Sequence, residues 1–299
     1  MKGGYTVREY NYKKIDAFTS GKSVGNPAAC LYLEKHQILT EMEMLAIAKQ
    51  HKGFVSEVVY CSEVGLAEYK LTYYSSECEV DFCGHGTIAC MYSLIKNSPN
   101  LVEEKELIIH TNKKGTLTIY NHITEHDAVF ITAPQPTHFN RQIKKELIAN
   151  SLEIETDKIG TNYPIDTINA GLTTLIIPVI SLADEINLFP SEERLKKFCI
   201  KNEIDIILIY SKEVSDIANI AHTRVFAPKF GYLEDPATGS GNSAFGYYML
   251  KNNMWQGEDI SIEQGGSDIV FNTVKMTTRD NNILFGGSAT DRITGKYLL

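Results

Sequence analysis

Apolar and polar residues alternate along "YTVREYNY" (5–12), and "AACLYL" (28–33) is an apolar run set off by the turn-rich "TSGKSVGNP", so both read as strands. The period changes in "TEMEMLAIAKQH" (40–51). Its apolar residues recur at helical intervals, and Thr40 followed by Glu43 has capping-box spacing. Strand patterns return at 54–60, 67–74, 106–111, 115–120 and 127–134 ("FVSEVVY", "AEYKLTYY", "ELIIHT", "GTLTIY", "DAVFITAP"). Further on, the pattern predicts helices over 142–150 and 191–202, and strands at 164–169, 173–180, 205–210, 219–226, 268–277 and 282–286. Most neighbouring strands are separated by short turns that only antiparallel pairing allows, which makes the class α+β.

Two more helices open from glycine loops that repeat each other. "CGHGTIACMYSLIKN" (83–97) and "TGSGNSAFGYYMLKN" (238–252) lie 155 positions apart and share six residues of fifteen, among them Gly84/Gly239, Gly86/Gly241 and Ala89/Ala244. The helices are expected over 87–97 and 241–252. Ile88, Ala89, Met91, Leu94 and Ile95 in one, and Ala244, Phe245, Tyr248, Met249 and Leu250 in the other, leave few polar faces, the mark of a buried helix. Each half is therefore predicted to curve a mixed or antiparallel sheet around its own central helix. An offset of 155 in 299 residues implies two pseudo-symmetric domains, 1–125 and 126–299, with the final residues able to pack back on the first. Duplicated halves usually meet about a pseudo-twofold axis, which would bring the two loops face to face.

Composition then narrows the function. With 43% hydrophobic and 22% charged residues, the chain has the make-up of a globular protein rather than a disordered one. A net charge of -8 argues against nucleic acid and anionic membrane surfaces as partners. The N-terminal stretch has no apolar core of a leader, and no run approaches a membrane span, so a cytoplasmic location is expected. Six cysteines without a C-x-x-C pair suit reduced thiols better than disulfides or zinc.

The paired loops admit several readings. Both fit G-x-G-x-x-A with acidic residues about 20 positions on, but the segments before them ("YYSSECEVDF", "KFGYLEDPA") are too polar for the buried strand that precedes a dinucleotide fingerprint. A P-loop fails because no Gly-Lys-Ser/Thr follows. Glycines that merely turn the chain would explain one copy better than two. Helix N-termini offer a third reading: unpaired N–H groups and a positive dipole end in each loop would grip a carboxylate, with His85 and Ser240 adding side chains. "HITEH" (122–126) fits a zinc-peptidase pattern, yet it lies between two strands and reads as a hairpin connection.

At these residues the chain resembles the PhzF-like proteins of phenazine biosynthesis, which share the diaminopimelate epimerase fold. The matching stretches are "DAFTSGKSVGNPAAC" (16–30), "FVSEVVY" (54–60), "EVDFCGHGT" (79–87) and "FAPKFGYLEDPATGSGNSA" (226–244). The resemblance implies two similar domains with the active site in the cleft between them, and proton transfer between ring carbons without metal or organic cofactor. It also implies a small-molecule carboxylate as substrate, and homodimers as the common assembly. Carried over by position, Glu57 is the proton-transferring carboxylate, Asp235 the second carboxylate and His85 the active-site histidine; Gly84, Gly239 and Ser240 would hold the substrate carboxylate, beside Cys83.

The residues have readings of their own. Strand alternation sets Glu57 on the face of Val55 and Val59, and an apolar face raises a carboxyl pKa toward the range of general acid/base work. His85 is suited to polarise a carbonyl or shuttle a proton near neutral pH, and Asp235 to orient substrate and hold a proton. Against these stand a solvated strand glutamate, a histidine capping its helix and a turn-forming Asp-Pro. The chain departs from the two-thiol amino-acid epimerases, with Cys83 in the first loop but Thr238 in the second, and a threonine hydroxyl is a far poorer base than a thiolate. The expectation is a cofactor-independent, metal-free isomerase of a small, cyclic or aromatic carboxylic acid. A racemase or epimerase and a non-catalytic small-anion binder are the alternatives.

Overall fold

The computed structural model describes residues 7–266 and 270–299. Tyr5 and Thr6 of the first expected strand, and positions 268 and 269 of a late one, lie outside them. The chain divides into two compact units: one takes the described residues up to Ala17 with Pro27–Ile131 and Ser288–Leu299, the other Phe18–Asn26 with Thr132–Gly287. No described helix is long and apolar enough to cross a membrane.

Apart from the end residues Asn26 and Thr132, which fall to the second, the first unit holds β1 (Glu9–Ala17), β2 (Asn26–Leu33), β3 (Glu57–Gly65), β4 (Glu68–Ser75), β5 (Glu79–Val80), β6 (Glu106–Thr111), β7 (Gly115–His122), β8 (Ala128–Thr132) and the C-terminal β18 (Ala289–Leu298). Its helices are α1 (Glu41–Gln50), α2 (Gly84–Lys96), α3 (Pro99–Val102) and α4 (Ile123–His126). The sheet runs β18-β1-β2-β3-β4-β6-β7-β8, with β5 paired to β4. Two pairs, β2/β3 and β4/β6, are parallel. Parallel neighbours need a crossover, and α1 and α2 supply one each. Thr40 and Glu43 close the expected capping box on α1.

The second unit has β9 (Thr137–Phe139), β10 (Asp166–Asn169), β11 (Thr173–Pro178), β12 (Ile206–Ser211), β13 (His222–Phe226), β14 (Glu234–Asp235), β15 (Ile260–Gln264), β16 (Asn272–Arg279) and β17 (Asn282–Gly287). Its helices are α5 (Lys145–Leu152), α6 (Leu182–Ile186), α7 (Glu192–Lys201) and α8 (Gly239–Lys251). The order β9-β10-β11-β12-β13-β15-β16-β17 repeats that of the first unit, with β11/β12 and β13/β15 parallel and β14 on β13. The fold class is therefore α+β, a mixed sheet with its helices in each unit.

Each sheet is covered on both faces, which explains why its strands read as apolar runs. In β3, Val58 joins the cluster around Ile47 and Ala48 of α1, whereas a side chain on Gly86 of α2 would meet Val59 Cγ2 at 2.8 Å. Successive residues thus face opposite helices. In the second unit Ile207 and Phe226 pack with Leu195 and Cys199 of α7, while Ile206 and Val225 face Gly241 of α8. α2 lies against β1, β3 and β18, and α8 against β10, β11, β12, β16 and β17.

Several expectations need correction. The two central helices begin at Gly84 and Gly239, three and two residues before the predicted starts, because the glycine loops are already the first helical turn. Val55 does not share a face with Glu57 and Val59. It packs with Val58 in the α1 cluster, since the regular strand, and with it the alternation, begins only at Glu57. "HITEH" forms a single helical turn, α4, joining the antiparallel pair β7 and β8. Strands β9, β15 and β18 carry no alternation that the sequence reading caught.

Candidate active site

Glu57 opens β3, and Cys83 and His85 open α2. Cys83 is the N-cap residue, with φ -129° and ψ 107°, and its sulfur accepts the Gly86 N–H at 3.2 Å. That satisfies one of the N–H groups a helix start leaves unpaired. The helix is capped by Cys83 and not by the His85 ring, which turns toward the strand instead. Its Nε2 stands 3.3 Å from Glu57 Oε2. Cys83 Sγ lies 3.7 Å from the same oxygen and 3.6 and 3.7 Å from the two ring nitrogens. Three expected site residues therefore meet at one point. Glu57 and His85 keep 21% and 14% of their side chains exposed, so the cluster is reachable from solvent.

Burial pushes the His85 pKa down to about 4, opposed by a hydrogen bond to the backbone of Pro27. Proline has no N–H, so that partner is its carbonyl. At neutral pH the ring is uncharged, and it serves as a hydrogen-bonding group rather than as the near-neutral proton shuttle that its type suggested.

The second unit builds a different cluster on the same scaffold. Thr238 caps α8 with φ -123° and ψ 113°, nearly the backbone of Cys83. Its hydroxyl donates to Asp235 Oδ2 at 2.5 Å and accepts from Gln264 Nε2 at 3.1 Å. Asn26 Nδ2 donates to Asp235 Oδ1 at 2.7 Å and to the Ala237 carbonyl at 2.8 Å. Gln264 Oε1 in turn accepts from the Thr238 N–H at 2.9 Å and from Asn242 Nδ2 at 2.7 Å. Burial raises the Asp235 pKa to about 6, the bonds from Thr238 and Asn26 pulling the other way. Asp235 is thus a strand residue held by a buried amide network, not merely a turn former.

Gly84 and Gly239 take the first helical position of α2 and α8, and Ser240 the second in α8. N–H groups at these positions have no acceptor within their own helix and point out of its end. Gly239 is also demanded by packing, since a Cβ there would lie 2.2 Å from Phe285 Cε2.

Register fixes which residues correspond between the units. Val80 pairs with Tyr73 and Tyr73 with Val59, while Asp235 pairs with Val225 and Val225 with Leu208. Asp235 therefore matches Val80, and Glu57 matches Ile206. The scaffold is duplicated but neither carboxylate is, so each unit has one of its own. Asn26, Gln264 and Asn242 were not picked out from the sequence. Asn26 stood inside the quoted "VGNP" stretch, but Gln264 sits on a strand that had gone unrecognised.

The duplicated α+β scaffold thus sets a carboxylate, an imidazole and a thiol together at one helix start. The phenazine biosynthesis-like protein family, PhzC-PhzF, matches residues 15–293 of this chain, which belongs to that family. An uncharacterized isomerase of Clostridium acetobutylicum is 31% identical over 83% of this chain and 82% of its own. The crystal structure of a PhzF-family phenazine biosynthesis protein from Bacillus anthracis superposes with a TM-score of 0.83 at 26% identity, covering 98% of this chain and all of that one. A probable proline racemase of Agrobacterium radiobacter, at 11% identity and a TM-score of 0.60 over 96% of this chain and 92% of its own, shares the fold. By family the chain is an isomerase.

Proposed function

We propose that the protein isomerises a small cyclic or aromatic carboxylic acid by moving a proton between carbon atoms, with Glu57 as the acid/base group. The observation that carries this reading is the Glu57 carboxyl, 3.3 Å from an imidazole that stays neutral at pH 7, at the start of a buried helix. A carboxyl exchanging a proton with carbon needs a neighbour that steadies both protonation states, and a neutral imidazole can donate to one and accept from the other. The N–H groups at the start of α2 (Gly84) and at the start of α8 (Gly239, Ser240) are each suited to bind a substrate carboxylate, as helix starts bind anions. Asp235, which titrates near 6, would orient the substrate and hold a proton. The phenazine biosynthesis-like character of the family supports a ring-bearing acid.

Thr238 weighs against the two-thiol route of epimerisation, because its hydroxyl hydrogen is committed to Asp235. The test is solvent exchange: incubate the protein with cyclic and aromatic carboxylic acids in deuterated water and follow label entry by NMR. Glu57→Gln should slow wash-in by about 10²-fold or more while substrate binding persists. Equal exchange in the variant and the wild type would refute the role of Glu57, and binding without exchange in either would favour a small-anion binder.

A further inference from the structure

Arg224 of β13 is a charged residue with 1% of its surface exposed, and no part of the proposed reaction uses it. Its Nε and Nη2 donate to the two oxygens of Glu234, at 3.0 and 2.8 Å. Nη1 donates to the carbonyls of Glu185 at 2.7 Å and Leu188 at 2.6 Å, at the end of α6. The rings of Phe226 and Phe189 lie 5.1 and 5.5 Å from the guanidinium carbon. A buried ion pair is a poor source of stability, since desolvation of its charges offsets their attraction. So many directed bonds on one group fix geometry instead.

What they fix is β14. That strand has two residues, Glu234 and Asp235, with Phe226 and Val225 of β13 as their ladder partners. It follows the exposed stretch 230–232 and precedes Pro236, which has no N–H, so little else in the backbone holds it. Paired residues share a face of the sheet and successive residues alternate. Arg224, Phe226 and Glu234 therefore lie on one face, and Val225 and Asp235 on the other. We propose that Arg224 is the positioning residue of Asp235, pinning β14 through the Glu234 carboxylate so that the Asp235 oxygens meet Thr238 and Asn26. Those two bonds, at 2.5 and 2.7 Å, leave little room for β14 to shift. That Asp235 serves the reaction rests on the proton-transfer reading above, whereas its placement by Arg224 does not.

Charge has to be separated from placement. Glu234 raises the Asp235 pKa against the bonds from Thr238 and Asn26, and Glu185 and His222, fully buried and 3.3 Å apart, lie beside Arg224. The test therefore keeps every charge and breaks the two-pronged contact alone. Arg224→Lys retains a cation without the planar fork, and Glu234→Asp retains a carboxylate one methylene too short. In each, Asp235 should slip from its donors. Its titration midpoint, read by NMR at the carboxyl carbon and assigned with Asp235→Asn, should then rise above about 6. Should Arg224→Lys fold poorly, Glu234→Asp decides, because the Glu234 side chain is 24% exposed. In a Thr238→Val background, Glu234→Asp should raise the midpoint by less, since one of the bonds it disturbs is already gone. An unchanged midpoint in Glu234→Asp, or a rise of full size without the Thr238 hydroxyl, overturns the positioning role. The pH profile of deuterium wash-in should move upward with the midpoint. A midpoint that rises in protein showing no exchange supports the placement and removes the acid/base reading.

Discussion

Cys83 and Thr238 hold the same place in the two units, each the N-cap of a 13-residue helix with nearly the same backbone angles, yet their side chains turn to different partners. The sulfur caps its own helix and touches Glu57 and His85, while the hydroxyl turns back to Asp235 and leaves α8 without a side-chain cap. A duplicated scaffold has thus diverged at its paired position into a thiol beside a carboxylate and a hydroxyl bound to one.

Removing the Thr238 hydroxyl tests that division. Thr238→Val keeps the shape but deprives Asp235 Oδ2 of its donor, in a region where Gln264 and Asn242 are fully buried. The expected loss of stability is about 1–3 kcal/mol, the cost of unmaking a buried hydrogen bond to a carboxyl. The Asp235 pKa should also rise further, since the hydroxyl favours the ionised form. Urea unfolding at several pH values measures both, and an unchanged midpoint would contradict the network described.

Asp235 itself predicts a pH dependence with a definite sign. Its pKa is about 6 in the folded protein and about 3.9 when the chain is unfolded, so between these values the folded state binds more protons. Stability from this group is complete below about pH 4 and is lost as pH rises through about 6. Asp235→Asn cannot titrate, and its stability relative to wild type should therefore improve across that window by up to about 3 kcal/mol. A difference that stays flat from acid to neutral pH would show that Asp235 titrates normally.

How much of this was legible in the sequence depends on what each feature rests upon. The capping box on α1 and the buried character of the two central helices follow from local spacing, and the structure has both. The helix starts were misplaced because glycines at helix starts look the same as glycines in a loop. The face of Val55 was misjudged because alternation holds only inside a regular strand. β15 went unread, and with it Gln264, whose amide ties Thr238, Asn242 and the Asp235 backbone together through contacts distant in sequence. The assignment of Phe18–Asn26 to the second unit likewise follows from long-range packing with no local signal.

His85 should titrate near pH 4 and stay neutral through the physiological range. NMR of the ring protons checks this, with the histidine assigned by comparison with His85→Gln. A midpoint near the ordinary value of about 6.5 would mean that water reaches the ring more freely than its environment allows. Because the ring is neutral, His85 adds no pH–rate inflection near 6; if Asp235 acts in turnover as proposed, the inflection it contributes there should vanish in Asp235→Asn and persist in His85→Gln.

The first glycine of the second loop carries the last prediction. A methyl group at Gly239 would sit 2.2 Å from Phe285 Cε2 and 2.8 Å from Cδ2, closer than van der Waals contact permits. Gly239 is helical with no unusual backbone demand, so the conflict is purely one of space. Gly239→Ala should destabilise the protein by about 1–3 kcal/mol through overpacking, and it should tilt the turn that carries Ser240. Phe285→Leu, which removes the conflicting ring atoms at the cost of a cavity, should recover part of that loss when combined with Gly239→Ala although it is destabilising alone. Additive losses in the double variant would show that the glycine is there for some reason other than the approach of α8 to β17, and a double-mutant cycle of melting or urea midpoints separates the two outcomes.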